Sequence, residues 1–182
     1  MFRFAQEKIM ITIISATNRI ESFTAGVAAT YAEIAMKNDL PCRLVELTNF
    51  PSFPVDDSVY RKGENPFREF AHDVFNISER LLIVAPEYNG SFPGILKMLI
   101  DCADPEIYRG KKVALTGVAS GRAGNLRGMD HLTGIFQYLK SHVYYDKLPI
   151  SQIRSLVNEN RIVSDQKTRD TMEIQLLGLS RF

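Results

Sequence analysis

Five short apolar runs, each followed by a stretch with helical period, constrain this chain more than any other feature. They are "IMITIIS" at 9–15, "CRLVEL" at 42–47, "LLIVA" at 81–85, "KKVALTGVA" at 111–119 and "HVYYD" at 142–146. The first and third are apolar at almost every position, the pattern of a strand covered on both faces. From Ser22, the residues Phe23, Val27, Tyr31 and Ile34 form one helical stripe reaching Lys37. Asn65-Pro66 starts a second helix: Asn caps, and Pro at the first position gives up no needed donor. Its expected buried face is Phe67, Phe70, Val74 and Ile77. Pro93 opens a third helix running to about Ala103, and a fourth carries Leu132, Phe136 and Leu139. A last one, over about 165–179, carries Met172, Leu176 and Leu179. Strand and helix therefore alternate as βαβαβαβαβα, which predicts an α/β fold: a parallel sheet, helices on both faces, right-handed crossovers. In such sheets ligands sit beyond the carboxyl ends of the strands, where the strand order reverses.

The remaining bulk properties mostly exclude. The 182 residues suit a single domain over 1–182, with residues 1–8 a short extension running into the first strand. A formal net charge of +1 gives no electrostatic case for a nucleic-acid or membrane partner. No apolar run approaches a membrane span, and no cleavage pattern follows the N-terminus, so the expected location is the cytoplasm. Cys42 and Cys102 lack metal or redox spacing and read as packing thiols. His72, His131 and His142 likewise show no ligand spacing, so no metal site is expected. The segment 48–65 is a long loop without clear period. Its Phe50, Phe53 and Tyr60 suit either a subunit contact or packing within one chain.

Unusual composition concentrates in three loops: "SATNRIESFT" after the first strand, "PEYNGSFPG" after the third and "ASGRAGNLRG" after the fourth. In a parallel sheet all three emerge at one edge. The first offers hydroxyls, an amide and a guanidinium just before a helix N-terminus, where free N–H groups and the helix dipole favour an anion such as phosphate. Ser22 also has the ordinary role of capping that helix, and the two roles are compatible. Dinucleotide and Walker glycine spacings are missing, as are the acidic pair of a receiver domain and the nucleophile elbow of a hydrolase. One single-phosphate loop with two glycine-rich loops suits a mononucleotide bearing a flat, polar-edged ring, and flavin mononucleotide (FMN) answers that description.

These residues resemble the NADPH-dependent FMN reductase family, the flavodoxin-like group that includes quinone, chromate and azo-dye reductases. The family's first-loop pattern G-S-x-R-x-x-S-x-N is met by Ala16 through Thr24, with Ala16-Thr17 for Gly-Ser and Thr24 for Asn. Its P-E-Y-N-G-S-x-P-G-x-L-K is matched by Pro86 through Lys97, and its Ser-Gly loop by Ser120 to Asn125. The resemblance implies a doubly wound five-stranded sheet of order 2-1-3-4-5. It implies that Thr17, Arg19, Ser22 and Thr24 bind the FMN phosphate. Pro86, Glu87, Tyr88, Asn89, Gly90 and Ser91 would line the isoalloxazine ring, and Ser120, Gly121 and Gly124 would close its other edge. It further implies NADPH or NADH as hydride donor, a small-molecule acceptor (quinone, azo compound, chromate or free flavin), ping-pong exchange, and a homodimer or homotetramer. No side chain is nominated as general acid or base, since the redox chemistry would sit at flavin N5. Arg19 or Arg122 would read a 2′-phosphate of NADPH, or either is a solvated surface charge. The rival is a non-enzymatic flavin-binding electron carrier or redox sensor, against which the near-neutral charge counts, since such carriers are often strongly acidic.

Overall fold

Residues 10–52 and 65–182 are described by a computed structural model. The expected N-terminal extension and Phe53 and Tyr60 lie outside them. The strands are β1 (Ile11–Ser15), β2 (Cys42–Glu46), β3 (Arg80–Pro86), β4 (Lys112–Val118), β5 (His142–Val143) and β6 (Leu148–Ile150). The α-helices among the described residues are α1 (Phe23–Lys37), α2 (Pro66–Asn76), α3 (Gly94–Cys102), α4 (Leu126–Tyr138) and α5 (Gln166–Arg181). All strand pairs are parallel, in the order β2-β1-β3-β4-β5, with β6 also on β4. The chain leaves β2 at one edge and re-enters as β3 on the far side of β1. That reversal puts the loops after β1 and β3 side by side at the carboxyl edge, the place where open α/β sheets bind ligands.

The continuous apolar strands are explained by what covers them. One face of the sheet, through Ile14, Leu81, Ile83, Val113 and Leu115, packs on α2, α3 and α4; the other, through Ile11, Ile13, Leu82, Val84 and Ala114, packs on α1 and α5. Each β1 or β3 residue that points to one layer is followed by one that points to the other, so a polar alternation has no place there. The caps follow their sequence signals. The Ser22 hydroxyl accepts from Ala25 N at 3.0 Å, and the Asn65 side chain accepts from Phe67 N at 2.9 Å. In α2 the buried residues are Phe67, Ala71, Val74 and Phe75, while Ile77 lies past the helix and is 46% exposed. Phe50 packs inside the chain, with ring centroids 5.3 Å from Phe67 and 5.6 Å from Phe70.

The fifth strand departs from expectation. Only His142 and Val143 pair there, with Lys112 and Val113; the chain then bulges and resumes pairing at Leu148–Ile150 opposite Thr116–Val118. The interruption is filled from α5. The fully buried Gln175 donates to Leu115 O at 3.1 Å and to Asp146 O at 2.8 Å, supplying bonds that a continuous strand would have made. Its Oε1 meets the Tyr31 hydroxyl at 2.5 Å and the Thr116 hydroxyl at 2.8 Å, and those hydroxyls lie 2.9 Å apart. Two hydroxyl protons serve three contacts, so two of the three are hydrogen bonds at any moment. Burial pushes the Tyr31 phenol well above its ordinary range, keeping it a neutral donor.

Candidate functional site

The loop after β1 keeps one last ladder bond, Ala16 N to Val84 O at 2.9 Å, before leaving the sheet. Thr17 then turns inward. Its hydroxyl is 2.7 Å from the Tyr88 hydroxyl and accepts from Arg19 N at 3.2 Å, so it ties this loop to the one after β3. Ser22 satisfies one first-turn donor of α1. Among the described residues the amides of Phe23 and Thr24 have no hydrogen-bond partner, as expected for donors at the start of a helix.

The loop after β3 is a tight hairpin. Glu87 N continues the ladder to Val118 O at 2.9 Å, and Tyr88 and Ser91 then exchange both backbone bonds, at 2.8 and 3.0 Å. Asn89 (φ 50°) and Gly90 (φ 78°) are its two central residues, both left-handed. This is the turn type for which Asn-Gly is the favoured pair, so the dipeptide is required by the backbone whatever else it does. Arg19 lies over the Tyr88 ring, 5.9 Å from its centroid. The Ser91 hydroxyl points the other way and hydrogen-bonds His131 Nδ1 of α4 at 2.9 Å.

In the loop after β4, Ser120 and Gly121 are exposed at the edge, while Gly124 is buried. A Cβ on Gly124 would stand 2.6 Å from Pro149 Cβ, so this glycine lets the loop pack on β6. Asn125 is fully buried and left-handed (φ 62°), and its amide donates to both Ala85 O and Pro86 O, each at 3.0 Å. It thereby fastens the end of β3 to the third loop. Its Oδ1 has no partner among the described residues.

Together the three loops wall a cavity of about 660 Å³, within the usual range of roughly 300–1,000 Å³ for small-molecule sites. Arg19, Ser22 and Thr24 line it from the first loop, Pro86 to Gly90 from the second, and Ser120 and Gly121 from the third. Thr17, Ser91 and Gly124 do not reach it; they hold the loops to one another or to their surroundings. Arg122 is exposed and outside it. The amides of Asn89, Gly90, Ser120 and Gly121 make no hydrogen bond among the described residues, which leaves them as donors at the cavity wall.

Sequence reasoning missed a fourth wall. Phe23, Ile153, Arg154 and Arg161 also line the cavity, the last three from the segment following β6. No motif marks that segment, but Gly26 inside α1 was a usable signal, since a helix-interior glycine often admits a close neighbour. A Cβ there would lie 1.9 Å from Arg161 O. Gly26→Ala is expected to push the segment outward and cost about 1–3 kcal/mol. Thermal unfolding checks this, and an unchanged midpoint would mean the contact is not tight.

The charged groups around the cavity are Arg19, Arg154 and Arg161 against Glu21 and Glu87. Among the described residues no cluster of His, Cys, Asp and Glu could hold a metal ion. Burial, aided by the Asp101 carboxylate, pushes the Cys102 thiol up to about 11, so it stays protonated and is no nucleophile. No helix of the described residues is long and apolar enough to cross a membrane.

The same architecture occurs in known proteins. Residues 9–154 match the family described as NADPH-dependent FMN reductase. An NAD(P)H-dependent FMN reductase of Pseudomonas aeruginosa is 31% identical over 144 residues, covering 76% of this chain and 78% of that protein. A 2-hydroxy-1,4-benzoquinone reductase of a Burkholderia species is 27% identical over 165 residues, covering 84% and 87%. In structure the chain is similar to FerB, a flavoenzyme NAD(P)H:(acceptor) oxidoreductase of Paracoccus denitrificans. The TM-score is 0.73 over 96% of each chain at 18% identity, a likeness of fold.

Proposed function

The chain belongs to the NADPH-dependent FMN reductase family, and from that premise we propose that its cavity holds FMN and that the protein passes reducing equivalents from NADPH or NADH to a small acceptor. Acceptors of the fitting class are quinones, azo compounds, chromate and free flavin. The observation that carries this reading is the convergence of three loops on one cavity with their backbone donors left over. The free amides of Phe23 and Thr24, with Arg19, suit a phosphate at the start of α1. The free amides at Asn89, Gly90, Ser120 and Gly121 suit a ring with carbonyl and nitrogen atoms on its edge. Tyr88 offers a flat apolar contact whose position is fixed by its hydroxyl on Thr17.

When bound, FMN would supply the redox chemistry, accepting a reducing pair from the nicotinamide cofactor and making it available to the acceptor. The protein's part is to orient the ring, keep one face open for alternating donor and acceptor, and place N–H dipoles where negative charge grows on the reduced ring. Ping-pong kinetics is the expected pattern of such one-site exchange.

An absorbance spectrum of the protein after FMN loading and removal of excess, followed by anaerobic NADPH, tests the reading. Flavin bands that bleach on addition are expected. Failure to retain or bind FMN at micromolar protein would remove the cofactor assignment. Retained bands that neither NADPH nor NADH bleaches would instead leave a flavin-binding carrier or sensor.

A further inference from the structure

The cavity carries more positive charge than the first loop accounts for. Arg154 and Arg161, from the segment after β6, both stand with their guanidinium carbon 5.6 Å from the ring centroid of Phe23, the first residue of α1. Two cations therefore flank the residue whose free amide opens the helix, on the side of the first loop where it runs into α1. Attraction between a cation and an aromatic ring uses none of the guanidinium N–H donors, which stay available to a ligand.

Neither arginine has its charge used up. Arg154 has no ion pair or side-chain hydrogen bond among the described residues. Arg161 meets Glu21 at 3.3 Å, but both side chains are partly exposed, and such surface pairs contribute little. The backbone of Arg161 is nevertheless held against α1 by the close approach at Gly26. The segment that carries this cation is thus anchored, and the cation itself is left with a weak partner.

Building on the flavin reading, we propose that Arg154 and Arg161 complete the anion site at the N-terminus of α1, and that the group they take is the phosphate monoester of a nucleotide. A dianionic monoester carries about −1.5 to −2 charge and accepts on three oxygens. Guanidinium forks match such oxygens two at a time, while the helix amides donate from below. Two monoesters fit this chemistry, the 5′-phosphate of FMN and the 2′-phosphate of NADPH, and the experiment separates them.

Binding is measured by calorimetry for FMN, riboflavin, 2′,5′-ADP and 5′-AMP, on wild type and on Arg154→Gln/Arg161→Gln. Circular dichroism and a melting curve confirm that the variant folds. The double variant is expected to lose at least about tenfold in monoester affinity, since a hydrogen bond to a charged group contributes roughly 1.5–3 kcal/mol and tenfold is 1.4. Lys at both positions restores part of the loss. Weakened FMN with unchanged riboflavin assigns the clamp to the flavin phosphate. Weakened 2′,5′-ADP with unchanged 5′-AMP and FMN assigns it to NADPH. Equal weakening of FMN and riboflavin, or no change in any ligand, overturns the proposal while leaving the flavin reading standing. Wild type that binds neither flavin defeats the flavin reading itself.

Discussion

Asn125→Asp is expected to destabilise the protein by about 3–5 kcal/mol near neutral pH, the cost of leaving a buried charge without compensation. The substitution preserves shape and changes only donors and charge. The Asn125 amide faces two carbonyl oxygens, Ala85 O and Pro86 O, and no water reaches it. A carboxylate there donates nothing and sets negative charge against both acceptors. Burial raises the folded pKa of the introduced carboxyl above its unfolded value of about 3.9. The protonated form can still donate one bond. The difference from wild type is therefore smallest below about pH 4 and grows as pH rises, until the carboxyl ionises in the folded protein. For a chain of this size a melting midpoint on the order of 10 °C lower corresponds to the neutral-pH loss. Melting curves of both proteins across pH 4–8 decide the matter. A small gap that does not change with pH would mean the side chain is not a donor to those carbonyls. Because Ala85 and Pro86 lead directly into the Tyr88–Ser91 turn, flavin binding should weaken even where the variant folds.

The second large effect is expected at Gln175→Leu, at roughly 3 kcal/mol or more. Leucine fills similar space but leaves Leu115 O and Asp146 O without donors and the Tyr31–Thr116 pair without its acceptor. Each buried polar group left unpaired costs about 1–3 kcal/mol. Tyr31→Phe makes a useful comparison, because Thr116 can still donate to Gln175 Oε1; about 1 kcal/mol is expected there. Urea unfolding measures both. Equal losses at the two positions would show that the amide bonds to the strand gap contribute nothing beyond the hydroxyl contacts.

The sequence disclosed most of the fold because each layer rule left its own mark: continuous apolar strands, helices opened by Ser22 and by Asn65-Pro66, and loops with glycine and asparagine. At the sheet edge it gave the place of the fifth strand but not its length. "HVYYD" has the β-branched and aromatic residues of a strand, yet pairing stops after Val143, because Gln175 of α5 occupies the ladder there. Pairing resumes at "LPI", where Pro149 hid a strand that is possible only at an edge. At the site, the first three walls were readable because their residues are locally unusual. Arg154 and Arg161 were not, since they reach the cavity only through packing of the segment after β6 on Gly26. The "NGS" of the second loop also divides in two. Asn89 and Gly90 are fixed by the turn, whereas Ser91 faces α4.

The bolt across the split strand has a consequence in time. Tyr31 and Gln175 are 144 residues apart, and Thr116 and Gln175 are 59. Contacts this distant in sequence are costly to close and form late. As the chain emerges from the ribosome, β1 to β4 can pair while one face of the sheet still waits for α5. Until that helix arrives, the Tyr31 hydroxyl, the Leu115 carbonyl and the apolar side chains around them stay open to water and to other unfinished chains. An open sheet face in that interval invites aggregation, and the gap in the sheet is closed only when α5 docks.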